Sequence, residues 1–71
     1  MSEQDKLRVV LPHWIEHNAE HASEFRLWAK LAGEAEADIE AAATQMEAAN
    51  EALAAAQEKL GGPLEQHKVP H

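Results

Sequence analysis

The residues best equipped for chemistry crowd into one run, His13-Trp14-Ile15-Glu16-His17-Asn18-Ala19-Glu20-His21-Ala22-Ser23-Glu24. Three His recur at every fourth position, and three Glu do the same. On a helix turning about 100° per residue, each such step advances a side chain by only about 40°. His13, His17 and His21 therefore form a stripe. Glu20 and Glu24 lie along it, and Glu16 sits at its outer side. Two imidazoles one turn apart can chelate a single cation. Imidazole suits nickel, zinc, copper and iron, with carboxylate as the usual supplement. The stripe points to a divalent transition metal, nickel or zinc, with His13, His17, His21, Glu16, Glu20 and Glu24 as candidate ligands. A further ligand is expected from Glu47 or Glu51 on a facing helix, or from a second chain. The order H-x-x-E-H, twice over, is not the H-E-x-x-H of zinc proteases. The same spacing also arises without metal, as a solvated helix face with local ion pairing.

Other chemistry finds little support. The chain has no Cys and no Tyr, and its hydroxyls are Ser2, Ser23 and Thr44. Nothing pairs a nucleophile with an oriented base, and no Gly-rich loop could cradle a phosphate, so a non-enzymatic role is expected. Six Lys and Arg stand against 13 Asp and Glu, a formal charge of −7. That balance disfavours nucleic acid, whose phosphates are bound through cationic side chains. No apolar run is long enough to span a membrane. The polar start MSEQDK lacks the pattern of a signal peptide, so a cytoplasmic location is expected.

Two helices must position the stripe. Residues 1–11 read as a lead-in, with 5–11 open to either an early turn of helix or an extended strand-like entry. Residues 12–60 read as a helical hairpin: helix 12–32, turn at Gly33, helix 34–60. Pro12 suits a first helical turn. Leu11, Trp14, Ile15, Asn18, Ala22, Phe25, Trp28, Ala29 and Ala32 recur at spacings of three and four, the period of a helix with one buried face. Gly33 is the kind of residue that follows a helix end. In the second helix, 11 of 27 residues are Ala. Ile39, Met46, Leu53 and Leu60 repeat every seven, and so do Ala42, Ala49 and Ala56. The two rows read as a coiled-coil seam whose Ala line lets a facing helix approach closely. Residues 61–71, with His67 and His71, read as a flexible tail.

A short connection makes the helices antiparallel neighbours. With the turn near Gly33, facing residue numbers should add to about 67. That register puts Phe25 opposite Ala42, Trp28 over Ile39, His21 against Met46 and Trp14 against Leu53. Asn18 falls beside Ala49 and Asn50, so the two Asn side chains are expected to hydrogen-bond and fix the register.

The stretch Leu11-Pro12-His13-Trp14-Ile15-Glu16-His17-Asn18-Ala19-Glu20-His21-Ala22-Ser23-Glu24-Phe25, followed by Trp28-Ala29, resembles a small prokaryotic helical domain. That domain occurs in short stand-alone proteins and as a C-terminal extension of CooT-like nickel-binding proteins. The resemblance runs from about residue 6 to Gly62. It implies association with nickel or another transition metal rather than a catalysed reaction, and by matching position it implies the same His and Glu residues as ligands.

The fold class expected is all-α, a hairpin that dimerises into a four-helix bundle. Two helices alone leave much of the face of Trp14, Phe25, Trp28, Ile39, Met46 and Leu53 wet, and symmetric dimers are the commonest way to cover such a face. Two functions follow. One is metal binding through the stripe. The other is a structural or interaction module that docks a partner protein or a second copy, a reading that exposed Trp14 or Trp28 would favour.

Overall fold

The computed structural model describes residues 2–64. Helix α1 runs Glu3–Ala29, one turn of 3-10 helix covers Gly33–Ala35, and helix α2 runs Glu36–Lys59. The two helices pack antiparallel as an all-α hairpin.

Helix α1 begins at Glu3, well before Pro12. Its start is set by Ser2, whose hydroxyl accepts a hydrogen bond from the Asp5 N–H at 3.0 Å. Glu3 and Asp5 add negative charge where the helix dipole favours it. Residues 5–11 are thus helical, and the sequence expectation of a boundary at Pro12 is corrected. A proline inside a helix removes one N–H and frees the carbonyl four residues earlier. Here that carbonyl belongs to Arg8, and it accepts the Leu64 N–H at 3.0 Å. The Arg8 guanidinium completes the clasp. Its Nε donates to the Gly62 carbonyl at 2.7 Å and an Nη donates to the Gly61 carbonyl at 3.0 Å.

This clasp corrects the reading of the tail. Residues 61–64 are bound to α1; residues 65–71, including His67 and His71, lie outside the described residues. The end of α2 is shaped for the contact. The Gly62 N–H bonds the Gln57 carbonyl and the Gly61 N–H bonds the Glu58 carbonyl, at 2.9 and 3.0 Å. These two bonds form a Schellman cap, which needs the left-handed backbone that Gly61 supplies at φ 107°.

The register between helices is read from one side-chain bond. Asn18 Nδ2 donates to Asn50 Oδ1 at 3.0 Å, and Asn50 Nδ2 donates to the Ile15 carbonyl at 2.9 Å. Facing numbers therefore add to 68. Equal rise along both helices then sets Ile15 opposite Leu53, Ala22 opposite Met46, Phe25 opposite Ala43 and Ala29 opposite Ile39. All eight are buried or half-buried. Large meets small at three of these four levels, which lets the helices close up.

One row of the expected seam is displaced. Ile39, Met46, Leu53 and Leu60 do turn inward, but their companions are Ala43, Asn50 and Gln57. Ala42, Ala49 and Ala56 are exposed. Apolarity pointed to the all-Ala row; the Asn pair selects the next one. Among the described residues, Leu11, Ala22, Ala29 and Ala43 are the buried apolar residues, and of these only Leu11 has a large side chain. The Gln57 Oε1, opposite Leu11 in this register, is buried without a hydrogen-bond partner among the described residues.

Candidate functional site

The rows that turn inward decide what each side of the hairpin shows. On α1 the seam rows are Arg8, Ile15, Ala22, Ala29 and Leu11, Asn18, Phe25, Ala32. The row just before the first of these is Leu7, Trp14, His21 and Trp28. It points about 90° away from α2, close to the normal of the hairpin plane. These side chains are accordingly exposed: Leu7 41%, Trp14 48% and Trp28 66%. Leu31, 77% exposed, extends the apolar surface at the turn end. Trp14 and Trp28, expected inside the seam, stand outside it.

On α2 the matching row is Ala42, Ala49 and Ala56. In an antiparallel pair, residues in equivalent flanking positions fall on the same side. Arg26 demonstrates the rule on the opposite side. Its guanidinium bonds Glu40, Glu47 and the Thr44 hydroxyl, with Nε to Glu47 Oε2 at 3.2 Å. The Glu47 hydrogen bond holds the Arg26 pKa above its ordinary value; partial desolvation opposes this, and Glu40 reinforces it. One side of the hairpin is thus charged and internally paired. The other carries a ridge of large side chains beside a row of alanines.

The His/Glu stripe runs along the ridge and over its outer slope. His13, His17 and His21 are all exposed. The His17 and His21 Nδ1 atoms each lie 3.7 Å from a carboxylate three residues on, Glu20 and Glu24 respectively. Each imidazole is turned to its own Glu rather than to a common point. Glu16 is exposed on the side away from the ridge. Among the described residues no group of three His, Asp or Glu side chains is placed to hold one ion. Glu47 is engaged by Arg26, and by the same register Glu51 lies on that charged side too, away from His17 and His21. The ring of His21 sits 6.3 Å from that of Phe25, tilted by 34°, which ties it to the edge of the seam.

Arg8 and Arg26, which bind the helices to each other, were not singled out by sequence. The available signals were the two arginines of the chain, one four residues before Pro12 and one on the helix that faces an acid-rich second helix. Leu7 was also missed. Its seven-residue step to Trp14, His21 and Trp28 was the signal.

A family model described as a domain of unknown function, DUF8180, matches residues 7–60. The chain belongs to the DUF8180 family. The match takes in the His/Glu stripe, the Trp ridge, the Asn pair and the seam of α2 up to Leu60. No curated protein and no solved structure matches the chain. Among the described residues of this DUF8180 chain, no helix is long and apolar enough to cross a membrane.

Proposed function

We propose that this DUF8180 hairpin is a non-enzymatic docking module that engages a helical protein surface through its Trp14–Trp28 ridge. The observation that carries the reading is that both indoles project from one face of α1, Trp14 about half exposed and Trp28 about two-thirds exposed. Tryptophan is the side chain that most often anchors an interface, and charged residues are depleted from interface centres. Here the ridge is apolar at both ends, whereas the opposite side ties its charges to each other. A photo-crosslinking residue at position 28, expressed in cells, tests this against the same residue at position 51 on the charged side. Protein adducts from position 28 and few from 51 are expected. Equal yields from the two, or none from either, overturn the reading.

A second reading keeps the metal. His17 and His21 are exposed, one turn apart, and each has a carboxylate nearby. Rotation of exposed side chains is all that a two-imidazole site for nickel or zinc would require. His13, Glu20 and Glu24 would be its supplementary donors, and Glu16 the most remote. This reading meets docking at His21, which belongs to the ridge itself, whereas His13 and His17 lie on its outer slope.

A further inference from the structure

We infer that the surface docked by the ridge is a second copy of this chain, related by a two-fold axis parallel to the helices. This deepens the docking reading and rests on it. In that arrangement the α1 ridge of each copy lies along the Ala row of α2 of the other.

The fit follows from heights along the hairpin. With facing numbers adding to 68, Trp14 is nearest in height to Ala56, His21 to Ala49 and Trp28 to Ala42, each within about 3 Å. A two-fold parallel to the helices keeps every height and exchanges left for right. It therefore carries each Trp of one copy onto an Ala of the other, with no sliding needed. A two-fold perpendicular to the helices instead stacks ridge on ridge, with Trp14 against Trp28 of the second copy and Ala row facing Ala row across a gap. Packing at interior density rejects that gap.

Size and charge agree. A helix of 24 residues is about 36 Å long, and two side by side are about 20 Å wide. The face then measures about 700 Å², close to the roughly 800 Å² each partner gives to a stable interface. The net charge of −7 opposes self-association, but Arg26, Glu40, Glu47 and Glu51 sit on the far sides, which this two-fold holds farthest apart. Need agrees as well. A hairpin whose buried apolar residues are Leu11 and three alanines lacks the core that small domains obtain by associating.

The experiment uses the full chain. Light scattering after size exclusion should give twice the 7.8 kDa chain mass at high micromolar concentration. Trp28→Glu, or Ala42→Trp to fill the row, should weaken self-association at least about tenfold while the circular dichroism stays helical. The chain has no Cys, so single cysteines report geometry. Mixed His21→Cys and Ala49→Cys chains should form the 21–49 disulfide in preference to 21–21 or 49–49. Dominant 21–21 or 49–49 linkage overturns the arrangement. A monomeric chain at every concentration overturns self-pairing altogether; with position-28 adducts to other proteins still present, the docking reading then stands without it.

Discussion

Asn18 and Asn50 join across the hairpin, amide to amide at 3.0 Å, and Asn50 passes its own N–H to the Ile15 carbonyl at 2.9 Å. The levels on either side of the pair, Ile15 with Leu53 and Ala22 with Met46, are aliphatic. A polar pair at such a level costs stability and gains register, since any slip leaves an amide facing apolar groups. Asn50→Ala should lower the unfolding free energy by about 1–2 kcal/mol. Replacing both residues with Leu should recover that loss while loosening the register. Urea unfolding followed by circular dichroism measures the first effect. Spin-label distances between α1 and α2 measure the second; a distribution as narrow as in the wild type would refute the register role.

The Arg8 clasp makes a separate prediction. Arg8 holds the Gly61 and Gly62 carbonyls with its side chain and the Leu64 N–H with its backbone. Arg8→Met keeps the aliphatic stem and removes the charged donors. It should cost about 1–3 kcal/mol and speed hydrogen exchange at the Leu64 amide, leaving mid-helix amides less affected. An unchanged Leu64 exchange rate would show that the backbone bond holds the segment without the guanidinium.

Arg26 should behave differently, because its partners are at the surface. Arg26→Ala is expected to produce a small loss of stability that shrinks as salt rises. The pH dependence has a definite sign. A folded-state pKa raised above the unfolded one contributes stability that is complete below the unfolded value and disappears as pH climbs through the folded value. For a guanidinium both values lie far into alkali, so the gap between wild type and variant should stay flat across neutral and mildly alkaline pH as far as Arg26 itself is concerned. Unfolding at two salt concentrations and several pH values checks this.

The metal reading is settled by titration. Calorimetry with Ni²⁺ and with Zn²⁺ on the tag-free chain should show binding that His17→Ala/His21→Ala removes. Ligand His must be neutral, so affinity should fall on acidification. Equal, weak heats for both chains would remove the metal and leave docking alone.

The hairpin itself is legible without coordinates. The three-and-four spacing of α1, the seven-residue repeat of α2, Gly33 between them and the closing Gly61-Gly62 are local signals, and local backbone preference is what they report. The Asn pair was legible too, because two amides at matching heights on antiparallel helices have few other partners. The entry to α1 was less so. Pro12 reads as a helix start by its own preference, and only the arrival of Leu64 at the Arg8 carbonyl makes it tolerable deep inside.

Which residues turn inward was decided by tertiary structure. Facing numbers move only from about 67 to 68, but α2 is also turned about its own axis by about 50°, the angle that exchanges one seam row while Ile39, Met46, Leu53 and Leu60 stay inside. That turn takes Ala42, Ala49 and Ala56 out of the seam and brings in Ala43, Asn50 and Gln57. On α1, Ile15 and Ala29 face α2, and Trp14 and Trp28 stand at the surface. Apolar periodicity is nearly the same for adjacent rows in so Ala-rich a chain. The amides joining Asn18 to Asn50 break the tie, and their geometry exists only once the two helices are side by side.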